Sequence, residues 1–341
     1  MPDSPSIQII GHGLAGAILA ETFSAAGLKV RVWDDGGPAS SRVAAGLYTP
    51  LTGRRLIRSW ELESALPVVD TFYPELENKL GLGFYHPLPS VRIFGSEDER
   101  AEWERRKDHE YTRELDVSGY PFKSPWGGCE IRKGGWVNLS VMLDGLKRRR
   151  ESAGEWGEPD GSAEFTIWAE GSKASENPLW AEVGWRNAHG DILTVSIPGL
   201  EQNRIFHPGN YLLPLGKQLF RCGATYAWNQ ASAAPREQGR MELEAELTNV
   251  LKIPFEVVDH QAGIRPVALA RVPVAGPHPE KTDQWIFNGF GSKGVLMAPY
   301  MAERMLSLLQ TGEELPKETR AVRRITRQRD RMKTIEGQRK S

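Results

Sequence analysis

The sequence has little cysteine. Only Cys129 and Cys222 occur among 341 residues, far apart and without metal-ligand spacing. That excludes a disulfide scaffold and a cysteine zinc site, and it suits a reducing cytosol. No apolar run is long enough to span a bilayer, and no signal-like segment precedes the first apolar run. The expectation is a cytoplasmic chain with no membrane partner. An excess of one charge is missing too: 43 Lys and Arg face 44 Asp and Glu, a net charge of -1. Overall charge therefore gives no reason to expect nucleic acid. The 7 histidines do not cluster at ligand spacing, so no metal is expected. No Ser-His-Asp arrangement and no internal repeat can be read.

What is present is concentrated at the start. Ile7-Gln8-Ile9-Ile10 reads as a buried strand and breaks into Gly11-His12-Gly13-Leu14-Ala15-Gly16. Ala17 to Phe23 then reads as a helix, and residues 28–33 as a second strand ending in Asp34, with Asp35 in the solvated loop beyond it. In such a G-x-G-x-x-G turn Gly11 permits the tight reversal. Gly13 lets a pyrophosphate approach the backbone, and Gly16 lets helix and strand pack closely. The helix N-terminus offers N–H groups to phosphates, and Asp34 suits the hydroxyls of an unphosphorylated adenosine ribose. These features predict dinucleotide binding and leave NAD and FAD both open. His12 reads as a loop-surface residue, and Cys222 as a small buried apolar one.

Further along, helices are predicted over 59–80 (with Pro67 as a break), 97–107, 136–150, 236–251 and 295–309. Residues 165–169, ending in Glu170 and Gly171, read as a third parallel strand of the nucleotide sheet. Short strands at 192–197, 211–213 and 218–225, joined by turns, suggest an antiparallel sheet. The fold class expected is α/β, α+β overall: a Rossmann-like nucleotide domain with an inserted antiparallel-sheet substrate domain. The nucleotide domain is assigned 1–80, 130–175 and 255–316, and the substrate domain 81–129 and 176–254. Residues 317–341 form a basic tail.

The last third carries Gly263-Ile264-Arg265-Pro266 and Asn288-Gly289-Phe290-Gly291-Ser292-Lys293-Gly294. With the opening glycines and Ser41-Arg42-Val43-Ala44-Ala45-Gly46, this order resembles the FAD-dependent oxidoreductases of the D-amino-acid oxidase type, the glycine and sarcosine oxidases in particular. The resemblance covers nearly the whole chain. It implies FAD as cofactor, held by Gly11, Gly13, Leu14, Ala15, Gly16, Asp34, Asp35, Arg42, Ala44, Ala45, Gly46, Val137, Gly171 and Arg265. From the late loop it adds Gly289, Gly291, Ser292, Lys293 and Gly294. Backbone N–H groups there would stabilise negative charge on reduced flavin.

The resemblance also implies an enzyme. A C–N bond of an amine or amino acid is oxidised to an imine by hydride transfer to flavin N5, and oxygen or another acceptor reoxidises the flavin. Arg265 is the expected carboxylate clamp, since a guanidinium fork suits a carboxylate; the other reading is a structural arginine on a local carbonyl. Tyr211 is expected to share the carboxylate, or else is an ordinary strand aromatic. Lys293 is the expected electrostatic aid to reoxidation, or else a solvated loop lysine. Alternatives are a flavin dehydrogenase, a tRNA-modification-type oxidase and a non-catalytic flavin-binding protein.

Two segments depart from the pattern. Arg54, Arg55 and Arg58 follow the flavin loop and read as an anion site or as a solvated helix entry. The basic residues from Arg320 to Lys333 leave contact with RNA, an anionic membrane or an acidic partner open, although charge runs are usually solvated.

Overall fold

A computed structural model describes residues 6–228 and 232–340, of which 331–340 by backbone alone. The opening folds as its glycine pattern predicts. Ser6–Ile10 is a strand, Leu14–Ala25 a helix and Lys29–Trp33 the next strand. Phe165–Trp168 pairs in parallel on the other side of the opening strand, Ile7 opposite Phe165. This is the third parallel strand that the sequence predicts. Gln284–Asn288 extends the sheet in parallel, and Val274–Pro277 closes its edge antiparallel. Ile7, Ile9, Val32, Ile167 and Phe287 are buried in it, as strands covered on both faces require. The helices Leu14–Ala25 and Gly294–Thr311 pack together over this sheet.

A second sheet has nine strands. Its backbone is Ala188–Ser196 paired antiparallel with Leu219–Gly223, then Tyr211–Gly216 and Ile205–His207. The sheet is not wholly antiparallel, because Ile205–His207 runs parallel to Ser90–Ile93. The helix Glu237–Val250 covers it, with Leu243 and Leu247 packed in one core with Leu193, Val195, Phe206 and Phe220. Cys222 is buried in the same core, as expected for a small apolar residue.

Glu256–Arg265, read with the nucleotide segments in the sequence, pairs with Ala188–Ser196 from Glu256 opposite Ser196 to Arg265 opposite Ala188. The Gly-Ile-Arg-Pro stretch is thus the end of a ten-residue strand rather than a free turn. Other boundaries shift as well. The helix Leu62–Leu80 runs through both Pro67 and Pro74. Gly135–Val137 is a strand, and the following helix starts only at Leu139, where Asn138 accepts the Val141 N–H at 3.3 Å.

The basic segment is a helix, Ala321–Lys340. Ala321 and Ile325 join a buried cluster with Trp180, Val183 and Ile286. Arg324 donates to the Val272 and Pro273 carbonyls at 3.1 and 3.2 Å, and Arg329 pairs with Glu182 at 2.8 Å. Arg331 and Lys333 lie beyond the described side chains. Among the described residues no helix is long and apolar enough to cross a membrane.

Candidate active site

The cleft at the carboxyl ends of the parallel strands begins with three glycines that behave differently. Gly11 has φ +102°, and a Cβ there would lie 2.5 Å from the Ala169 carbonyl oxygen. A Cβ on Gly16 would lie 2.0 Å from the Gly11 carbonyl oxygen. Both positions exclude a side chain because backbone occupies the space. Gly13 meets only the Ser41 hydroxyl, at 3.3 Å, so its outer side is left open toward the cleft. The Leu14 N–H donates to Ser41 Oγ at 2.9 Å, and Gly13, at the N-cap, has no side chain to take the N–H groups that follow. The helix Gly294–Thr311 likewise starts without a side-chain cap. Both N-termini open onto one cleft, an arrangement suited to anionic groups at two separate points.

Most of the sequence-predicted cofactor residues line that cleft: Gly11, Gly13, Leu14, Ala15, Asp34, Asp35, Ala44, Ala45, Gly46, Gly171, Arg265, Gly291, Ser292 and Gly294. Tyr211 joins them. The others stand behind the wall. Gly16 packs against Gly11, and Gly289 against Ala268 and Val274. Val137 donates its N–H to the Gly46 carbonyl at 2.9 Å, and its own carbonyl fills the space a Gly46 Cβ would need. Arg42 pairs with Asp144. Lys293 lines an adjoining cavity.

Asp34 carries out a local task. One carboxylate oxygen accepts the His12 N–H at 2.6 Å and the other the Gly36 N–H at 2.8 Å. His12 is not at the loop surface: it is 5% exposed, edge-on to Trp156 at 5.0 Å. Burial, reinforced by the positive charge of Arg150, pulls its pKa down to about 4.

Arg265 ends its strand in the cleft wall. Its Nη1 donates to the Thr225 carbonyl at 3.1 Å, and the guanidinium lies 4.7 Å from the centre of the Tyr226 ring. Among the described residues no carboxylate pairs with it. Burial lowers its pKa, opposed by Tyr226, Tyr211 and the more distant Asp191. Tyr211 is close enough to feel both Arg265 and Arg221, and burial raises its hydroxyl pKa well above the free value.

The support behind Arg265 was invisible in the sequence. Thr225 donates its hydroxyl to Asp191 at 3.0 Å, and Asp191, fully buried, also pairs with Arg236 at 2.8 Å and His260 at 3.2 Å. Burial pushes the Asp191 carboxyl up, but the hydrogen bonds from Arg236 and Thr225 outweigh it and hold the group below the usual range. The end of the Glu256–Arg265 strand is also tied to the late loop. The Gly291 N–H donates to the Pro266 carbonyl at 3.0 Å, and Val267 bridges to Phe290.

Residues 143–308 match the family model described as FAD dependent oxidoreductase. That stretch, just under half of the chain, is similar to the FAD-dependent oxidoreductase domain of the D-amino-acid oxidase family. It is similar to a tRNA 5-methylaminomethyl-2-thiouridine biosynthesis bifunctional protein of Caulobacter vibrioides, 25% identical over 370 residues. That match covers 94% of this chain and only 57% of the relative. Glycine oxidase of Pseudomonas aeruginosa is 22% identical over 91% of this chain and 96% of its own length. The fold matches that of iminodiacetate oxidase from Chelativorans, with a TM-score of 0.74 at 18% identity, covering 92% of this chain and 98% of the other.

FAD, the cofactor of this family, suits the cleft on its own geometry. The open side of Gly13 and the N-terminus of the Leu14–Ala25 helix would hold the diphosphate. The uncapped Gly294–Thr311 helix would face the ring end, where reduction leaves negative charge.

Proposed function

We propose that the protein is a FAD-dependent oxidoreductase that oxidises the C–N bond of a small amine or amino acid bearing a carboxylate. One observation carries this reading: a half-buried arginine in the cofactor cleft, Arg265, whose charge is met by carbonyls and an aromatic ring but, among the described residues, by no carboxylate. A substrate carboxylate completes that set through a charge-assisted fork. FAD, when bound, supplies the redox chemistry by taking up a hydride from the carbon next to nitrogen.

The residues of the chain orient the substrate. Arg265 fixes the carboxylate, and the Tyr211 hydroxyl shares it. Leu47, Ile192 and Phe290 give the cleft an apolar wall that limits water at the reacting carbon. The positioned arginine thereby turns a collision into a held geometry. Oxidation to an imine followed by hydrolysis is the expected outcome, with oxygen as acceptor. The two free, buried cysteines accord with a cytoplasmic site of action.

The likeness to the tRNA-modifying bifunctional protein over 94% of this chain supports a second reading, in which the amine is carried on RNA. Anaerobic bleaching of the purified flavoprotein with a panel of amino acids and N-alkyl glycines tests the first reading. Failure of every amine to bleach the flavin would sink it. Peroxide release in air separates oxygen from a carrier as acceptor. Bleaching by a tRNA-borne amine alone would favour the second reading.

A further inference from the structure

Beside the cofactor cleft lies a second cavity, and Tyr211 lines both. Its polar lining is cationic or neutral. Arg92, Lys293 and Arg54 contribute three positive side chains, with His207 and Asn210 among the neutral ones. Among the described residues no carboxylate lines it. Arg92 is 9% exposed. Its Nη2 donates to Glu99 at 3.1 Å, and its Nε is buried without a partner. Lys293 is half-buried and has no carboxylate partner among the described residues, and burial lowers its pKa. Arg54 sits at the mouth, 86% exposed and 3.6 Å from Glu99. One glutamate therefore stands against three cations. His207 adds no anion: burial, then the charge of Arg92, pulls its pKa to about 3, so it is neutral near pH 7.

Of the three arginines singled out after the flavin loop, only Arg54 reaches this cavity. Arg58 is taken up by Glu63, by Asp108 at 2.6 Å and by Glu110 at 3.3 Å. The buried cation comes instead from Arg92, on the strand Ser90–Ile93.

We propose that this cavity is a second anion subsite, in which Arg92 and Lys293 take the distal carboxylate or phosphate of a substrate whose first carboxylate lies on Arg265. The inference rests on the carboxylate clamp proposed above. It narrows the substrate class to amines with two anionic groups. Three cations sharing the single carboxylate of Glu99 leave a surplus of positive charge at a partly buried cavity, a free-energy cost that an anionic ligand relieves. The apolar residues Leu47, Leu51 and Leu296 in the same lining weaken solvent screening of that attraction.

The test uses the FAD-loaded protein and ligands that cannot be oxidised, with the flavin spectrum as the readout. Succinate, glutarate and adipate are titrated against butyrate, pentanoate and hexanoate, and 4-phosphonobutyrate against glutarate. A diacid should bind at least tenfold more tightly than its length-matched monoacid, and the tighter of glutarate and the phosphonate names the distal group. In Arg92→Gln that preference should fall close to one. Lys293→Gln gives the same readout should the buried arginine variant fail to fold. Equal binding of diacids and monoacids overturns the subsite while leaving amine oxidation standing. A preference that survives in both variants, or no spectral response to any carboxylate, also overturns it. A diacid preference without bleaching by any amine supports the subsite and removes only the amine reading.

Discussion

Gly190 and Arg265 occupy one space: a Cβ on Gly190 would lie 2.3 Å from both Nη1 and Nη2 of the arginine. The glycine is fixed by what leans on it. The obstacle is the far end of a flexible side chain, so the arginine would yield before the fold does. Gly190→Ala is expected to raise KM for a carboxylate substrate at least tenfold. Its melting temperature should stay within a few degrees of the parent, and a loss of folding would refute this account.

Arg265→Met removes the clamp itself. A charge-assisted pair contributes about 1.5–3 kcal/mol, which corresponds to a loss of roughly ten- to a hundredfold in binding. The Kd of acetate, read from the flavin spectrum, should weaken by that factor. Binding within twofold of the parent would show that Arg265 has a structural role only.

The cofactor glycines should separate into two kinds. Gly16→Ala drives a methyl into backbone and should destabilise the fold by about 3 kcal/mol or more, with the loss seen in urea midpoints. Gly13→Ala meets only the Ser41 hydroxyl and should fold normally while losing FAD on dilution. Equal stability of the two variants would contradict the assignment.

His12 gives the protein an acid-side weakness. Its folded pKa of about 4 lies below the ordinary 6.5. Between those values the unfolded chain holds a proton that the folded chain rejects. Stability is full above pH 6.5 and falls by about 1.4 kcal/mol per unit on the way down to 4. Urea midpoints measured from pH 7 to 4.5 should fall less steeply in His12→Asn. Parallel slopes would assign the acid loss to other groups.

How far the sequence could be read depended on distance along the chain. The strand, glycine turn and helix from Ile7 to Phe23 are local, and each glycine's task follows from backbone sterics alone. The third parallel strand, at Phe165–Trp168, was legible because a short apolar run ending in Glu-Gly has few other readings. The membership of Glu256–Arg265 in the second sheet was not, since pairing with Ala188–Ser196 spans some sixty residues and leaves no periodic mark. Arg265, Tyr211 and the late loop were found through motif order. Gly190, Asp191, Thr225 and Tyr226 were missed because their importance lies in what they touch. Arg92 was overlooked for the same reason: an arginine in a short strand looks like surface until its burial is seen. Asp34 was assigned to a ribose, while the hydrogen bonds it accepts from His12 in the glycine turn and from Gly36 in its own loop could not be foreseen.

The bond from the Gly291 N–H to the Pro266 carbonyl joins the arginine that would grip the substrate to the loop that would face the flavin. Ligands on the two sides of such a junction are thermodynamically linked. Whatever factor FAD adds to the affinity for a carboxylate, the carboxylate adds to the affinity for FAD. In a cell, then, a rising concentration of substrate would itself help keep the protein charged with its cofactor.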